Sequence, residues 1–394
     1  MKKYAKFLAS VGLGLALLAN AGCGGSSNSA KPAEKKDANE IKVGGNFELT
    51  GGVSNFAQSA YKGVQLAFKE INEKGGINGK KINLIVADNK SEASEATNAT
   101  TKLISQDKVV SIIGPIVSGS VLASAQVATD NKIPMLTPTG TNEDITFKDG
   151  KVRPYLFRAC FIDPFQGEIM AKFAANTLKA KTVAILKDSS SDYAKQLGAV
   201  FNQVITANGG KVAAEEAYLQ KDTDFKSTLT KIKATNPDVI YIPGYYQEVG
   251  LIVKQARELG ITVPLLGSDG WDSPKTVEIA GAGALNNTFF CNHYSVEDSD
   301  PNIQKFVAAF KKEYKDETPD AFAALGYDAG MMFADAVNRA GSADPQKIRD
   351  AMEKTKDLQV ATGKLTLDTK HNPIKGAVII EMKEGKQTFK EKIN

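Results

Sequence analysis

The chain has 394 residues, enough for two or three domains of ordinary size, and its 42% hydrophobic and 24% charged residues are the balance of a globular protein. Its 49 basic and 45 acidic residues leave a formal net charge of +4, with lysines spread along the whole length. So even a balance argues against nucleic-acid binding, which needs a clustered basic face.

The N-terminus reads as an export signal over residues 1–22. Lys2, Lys3 and Lys6 precede an apolar run from Phe7 to Ala19 that is too short for a membrane span, and small residues then lead to Cys23. Gly22-Cys23 followed by Gly24-Gly25-Ser26-Ser27 resembles a bacterial lipoprotein signal, in which the cysteine is lipidated and begins the mature chain. Asn20 stands where that pattern usually has an aliphatic residue, and plain secretion with cleavage nearby is the alternative. Residues 23–40, rich in Ser, Lys, Ala and Asn without apolar periodicity, read as a flexible tether. The expectation is a protein outside the cytoplasm, tied to the membrane through Cys23. Of the three cysteines, Cys160 and Cys291 then remain in an exported chain, where they can pair or stay as buried thiols.

From residue 41 short apolar runs alternate with helical patterns. Strands are expected at 41–49, 80–88, 109–114 and 133–138, with helices at 57–76, 92–107 and 120–131 between them. The rhythm repeats from 154 to 269, with strands near 181–188, 211–219, 237–244 and 263–269. An extended stretch at 287–295 follows, then helices near 301–315, 320–340 and 345–355, and a hairpin-like end at 363–383. Such alternation predicts an α/β fold of two doubly wound, Rossmann-like halves, each a parallel sheet between helices. Ligands of such sheets sit beyond the carboxyl ends of the strands, where strand order reverses.

The strand ends are accordingly the places to look. Ser118 and Ser120 open a helix after the strand at 109–114, and the bare N–H groups of a helix start favour an anion such as a carboxylate. Simple helix capping is the plainer use of the same serines. Thr139-Gly140-Thr141 is a second small hydroxyl turn at a strand end. In the second half, Tyr245 and Tyr246 follow a strand and could cover an apolar ligand while hydrogen-bonding it. Asp269 follows the next strand and could pair with an ammonium group, since Asp272 and Ser273 are better placed to cap the helix that follows. An anion site in one half and a carboxylate in the other suit the two ends of a zwitterion.

These residues resemble the periplasmic binding proteins of the leucine/isoleucine/valine type, which serve ATP-driven importers. The resemblance runs in order through "GVQLAFKEINEKGGINGKKINLIVAD", "IIGPIVSGSVLASA", "IPMLTPTGTN", "IPGYYQEVGLIVKQARELG", "LLGSDGW" and "GYDAGMMFADAVNRAG", and covers nearly everything from Ile41 to Lys383. It implies two lobes that close like a flytrap, joined by three crossings near 157–160, 291–293 and 360–363. The N-terminal lobe would be 41–158 plus 292–360, and the C-terminal lobe 159–291 plus 361–394. The resemblance also implies site roles. Ser118 and Thr141 would hold the ligand carboxylate beside backbone contacts at Thr139 and Gly140, Asp269 and Tyr245 would meet the ammonium, and Phe56 and Tyr327 would wall the side-chain pocket. Trp271, outside the common pattern, would line the pocket or pack. Asp269 stands where many relatives carry Glu. The resemblance also puts Cys160 and Cys291 on neighbouring crossings, where they could form a disulfide.

Enzymatic readings find little support. No dinucleotide-binding glycine pattern follows a strand, no phosphate-binding loop occurs, and the two histidines, His293 and His371, lack metal-ligand spacing. The expectation is therefore a monomeric binding protein without catalytic residues, metal or cofactor, which captures an aliphatic, branched-chain or aromatic amino acid for a membrane permease. A sensory ligand-binding subunit, or the same fold holding an amide, urea or an aromatic acid, is the alternative.

Overall fold

The computed structural model describes residues 39–393. The expected export signal, the anchor at Cys23 and nearly all of the tether lie outside the described residues.

The first lobe begins with β1 (Glu40–Phe47), α1 (Ser54–Glu73), β2 (Lys81–Asp88), α2 (Ala93–Ser105), β3 (Ser111–Ile113), α3 (Ser118–Asp130) and β4 (Met135–Thr137). A small hairpin, β5 (Phe147–Lys148) and β6 (Lys151–Val152), leads to β7 (Leu156–Arg158). The strands pair in parallel in the order β2-β1-β3-β4-β7. β3, β4 and β7 are buried along their whole length, as expected of a parallel sheet covered on both faces.

The second lobe runs through α4 (Asp163–Lys172), β8 (Thr182–Asp188), α5 (Asp192–Ala207), β9 (Lys211–Tyr218), α6 (Lys226–Ala234), β10 (Val239–Tyr241), α7 (Tyr246–Glu258), β11 (Leu265–Gly267), α8 (Pro274–Ala280) and β12 (Thr288–Asn292). The chain then returns to the first lobe with α9 (Pro301–Glu313), α10 (Ala321–Ala340), α11 (Pro345–Glu353) and a hairpin of β13 (Leu358–Val360) and β14 (Gly363–Leu365). It finishes in the second lobe with β15 (Ala377–Lys383) and β16 (Lys386–Ile393), which extend that sheet antiparallel in the order β16-β15-β12-β11-β10-β8-β9.

In both sheets the order reverses after the first strand of the lobe, between β1 and β3 and between β8 and β10. The crevices that this reversal opens are where the candidate site lies.

Two expectations are corrected here. The third crossing, expected at 360–363, falls after Asn372. Leu365 and Leu367 pack in the first lobe's core. His371 stacks on Phe157 at 4.3 Å, and Thr146 donates to Asn372 at 2.8 Å. The expected 363–383 hairpin is thus two hairpins, one on each lobe. Of the two possibilities for Cys160 and Cys291, the structure has buried thiols: both are free and buried among the described residues. The Cys160 thiol donates to the Gly140 carbonyl of the first lobe at 3.3 Å, whereas Cys291 lies in the second lobe's core, so the two thiols are turned to different lobes.

Candidate functional site

The positive pole is built at the start of α3. Ser118 is the first helical residue rather than a cap: Val117 holds the cap position in extended conformation. The N–H groups of Ser118, Gly119 and Ser120 have no carbonyl one turn earlier within the helix, and they present the positive end of its dipole. The Ser118 hydroxyl accepts from the Asn142 N–H at 3.2 Å, which ties the helix start to the turn after β4.

In that turn Thr139 and Thr141 are buried and line the cleft with Ser118. The Thr139 hydroxyl donates to the Ile116 carbonyl at 2.8 Å. Gly140 serves the turn from behind, which corrects its expected ligand contact. Its N–H donates to Thr137 Oγ1 at 2.9 Å and its carbonyl accepts from Arg158 at 2.8 Å. A Cβ there would meet Thr137, Ile145 and Val121 at 2.8–3.0 Å. Arg158, wholly buried, also donates to the Asn142 carbonyl at 2.7 Å and so clamps both ends of the turn.

Glu48, at the end of β1, went unnoticed in the sequence. Its buried carboxyl accepts from the Ile116 N–H at 3.1 Å and the Val117 N–H at 3.4 Å. It therefore takes the donors that precede α3, and the helix's own first turn is what remains for a ligand. Burial pushes the Glu48 pKa up to about 7, against the opposing pull of the Ile116 N–H and the Ser120 hydroxyl.

The negative pole is Asp269, just past β11 and 4% exposed. Three side chains hold it. The Tyr193 hydroxyl donates to Oδ1 at 2.7 Å, the Gln166 amide to the same oxygen at 3.2 Å, and His293 Nε2 lies 3.0 Å from Oδ2. Gln166 also donates to Asp163, whose carboxyl is raised well above the usual range by burial and then by the nearby Asp269 charge. Tyr245, the cap residue of α7, stacks on Tyr193 with ring centroids 5.1 Å apart.

Between the poles lies an apolar wall. Phe56 stacks on Phe322 at 4.1 Å and meets Tyr245 edge-on at 5.8 Å across the lobes. Ile116 and Val117 complete it. Tyr193 and Phe322 were not found in the sequence. Tyr193 sits one residue inside α5, after a β8 strand end that the strand-end rule would have flagged. Phe322 lies on a helix, where position alone gives no sign of facing a cleft. The lobes are closed: space open to a water centre here is only about 10 Å³, roughly one water's worth.

Two expected residues stand elsewhere. Tyr327 is five residues past Phe322 on α10, about 140° around the helix. Its hydroxyl donates to Glu70 at 2.9 Å and its ring packs on Phe306, away from the cleft. Trp271 packs in the second lobe's core and donates to the Ile242 carbonyl at 2.9 Å. It lines a different, roomier cavity of about 800 Å³ between the first turn of α1, the start of α8 and the loop before α10. The acids there, Asp272 and Asp320, are already met by protein donors. Asp272 accepts from Asn292 and the Ala321 N–H, and Asp320 from Ser59 and the Ala323 N–H. Asp272 is therefore not the cap of α8, a place held by Ser273 alone.

Residues 40–387 match the family model for periplasmic binding proteins. The chain belongs to that family. This binding protein is 32% identical over 328 residues to the Leu/Ile/Val-binding protein BraC3 of Rhizobium johnstonii, 83% of this chain and 87% of that one. Its fold is similar to that of the leucine-binding protein LivK of Thermotoga maritima, with a TM-score of 0.85 and 39% identity over 90% of this chain and 99% of the other. It is likewise similar to the branched-chain amino acid transporter substrate-binding protein LivJ of Streptococcus pneumoniae, solved with isoleucine, with a TM-score of 0.84 and 37% identity over the same shares. The family is one of solute carriers outside the cytoplasm, and this member is a binding protein rather than an enzyme. Among the described residues, no helix is long and apolar enough to cross a membrane.

Proposed function

We propose that this binding protein captures a branched-chain or other apolar amino acid between its lobes and delivers it to the membrane permease of an ABC importer. The observation that carries the reading is the opposite polarity of the facing walls. The first turn of α3 with Ser118, Thr139 and Thr141 stands on one side, and Asp269 on the other, with Phe56, Phe322 and Tyr245 between. A zwitterion with an apolar side chain finds a partner for each part, which a buried ligand must have. The names of the relatives, leucine- and Leu/Ile/Val-binding proteins, support the same ligand class.

The mechanism involves no covalent step. Ligand meets one lobe in an open form, and the second lobe swings over as the crossings absorb the rotation. Contacts across the lobes hold the closed shape: Ser273 Oγ lies 2.5 Å from Asn55 Oδ1, and Glu143 N–H donates to Gln196 at 2.8 Å. The permease then reads that shape. A lipid on Cys23, with the 23–40 segment as a leash, would keep a monomeric carrier near the permease. Labelling cells with a palmitate analogue tests the anchor: wild type takes up label and Cys23→Ala does not, while equal labelling would refute it.

The ligand reading is tested by calorimetric titration of ligand-stripped protein with leucine, isoleucine and valine, then with 4-methylpentanoate and 3-methylbutylamine. Each analogue lacks one charged end. Losing one charge-assisted contact costs about 1.5–3 kcal/mol, roughly ten- to a hundredfold in affinity. Equal affinity for leucine and 4-methylpentanoate would overturn the zwitterion reading and favour a simple acid.

A further inference from the structure

Asp269 is held by the crossings as well as by its own lobe. His293 follows directly on β12, where the chain leaves the second lobe. Its ring lies flat on Phe161 of the first crossing, with centroids 3.6 Å apart and planes 22° from parallel. Its Nε2 is 3.0 Å from Asp269 Oδ2, and both side chains are almost fully buried. Its Nδ1 is buried and has no hydrogen-bond partner among the described residues.

These contacts fix the tautomer. A proton on Nδ1 would be a buried donor without an acceptor, and would leave the Nε2 lone pair facing a carboxylate oxygen. A proton on Nε2 makes a charge-assisted bond to Asp269 and leaves Nδ1 as an unpaired acceptor, a smaller cost than an unpaired donor together with a lone pair set against a carboxylate. Burial also holds the His293 pKa down to about 4, which keeps the ring neutral at physiological pH. A neutral Nε2–H donates to the Asp269 carboxylate without supplying it a counter-charge.

We infer that His293 is a positioning residue of the ligand site: its Nε2–H orients the Asp269 carboxylate for the ligand's ammonium group and links that carboxylate to the lobe crossings. The inference rests on the reading that Asp269 receives the ammonium. Tyr193 and Gln166 both engage Oδ1. Oδ2 has His293 alone among these three, so His293 decides how the carboxylate is turned.

Two substitutions separate positioning from packing. His293→Gln keeps an N–H near the Nε2 position and loses the ring, and His293→Phe keeps the ring on Phe161 and loses the donor. Leucine affinity by calorimetry is expected within about threefold of wild type for Gln and at least about tenfold weaker for Phe. The reverse order, or equal loss in both, would overturn the inference and leave His293 as hinge packing. Nitrogen NMR of the wild-type histidines reads the tautomer directly. The expected signal is a neutral ring protonated on Nε2 at pH 7, assigned by its loss in His293→Gln. A charged ring, or one protonated on Nδ1, would refute the inference. Failure of the ligand reading shows separately, as absence of leucine binding by wild type.

Discussion

At Glu48 a single carboxyl sets a pH dependence. Its folded pKa of about 7 lies above its ordinary value of 4.5 because burial outweighs its hydrogen bonds. The protonated form is therefore favoured by folding. The stability Glu48 contributes is full below about pH 4.5 and is lost as pH rises through 7. The shift corresponds to about 3 kcal/mol. Glu48→Gln should remove that loss, so urea unfolding would find the variant gaining about 3 kcal/mol on wild type between pH 4.5 and pH 8. A gap that is the same at both pH values would contradict the assignment. Residues at strand ends, such as Ser118, Thr139, Thr141, Tyr245 and Asp269, were legible because topology sends strand ends to one crevice. Tyr327 was misread, and Trp271 was left between lining the pocket and packing, because sequence gives position along an element and not the direction in which a side chain is turned. Glu48 and His293 matter through partners distant in sequence, which no local pattern records.

Among the elements, α1 and α10 carry the first lobe's tightest approach. A Cβ at Gly63 would stand 2.0 Å from the Ala323 carbonyl oxygen, and one at Gly326 would stand 2.1 Å from that of Ala60. The two helices cross backbone to backbone at these glycines. Gly326→Ala gains about 1 kcal/mol of helix propensity and must force the helices apart, a cost of about 1–3 kcal/mol or more. A lowered melting temperature is expected, and Phe322 at the start of α10 would shift with it. A raised melting temperature would show that the crossing yields easily. The alternation of elements was readable from apolar periodicity, and helix α10 was expected to within a residue. The C-terminal hairpin was misjudged for a local reason. Asp368 accepts the N–H groups of both Lys370 and Asn372 at 2.8 Å, and His371 takes a left-handed conformation with φ 63°. That knot pins 368–372 to the first lobe, whereas the flanking residues read as one alternating run.

Across the whole molecule, the candidate site exists only where the lobes meet. With room for about one water between Ser118 and Asp269, leucine can enter only if the lobes part. Small-angle scattering of ligand-stripped protein should therefore give a larger radius of gyration than the leucine complex. Identical profiles would mean that ligand enters without lobe motion. Two lobes and their reversal points were legible in the strand–helix rhythm. The path of the third crossing and the direction of each thiol depend on long-range packing, and only the folded chain reveals them. The central claim is that Asp269 meets a ligand's ammonium while the start of α3 meets its carboxylate. Calorimetric titration of leucine into wild type and Asp269→Asn tests it most directly, because Asn keeps the shape and removes the charge. The account predicts unaltered folding and affinity weakened at least about thirtyfold, the loss of one partner from a buried charge pair. Affinity within about threefold of wild type would contradict it.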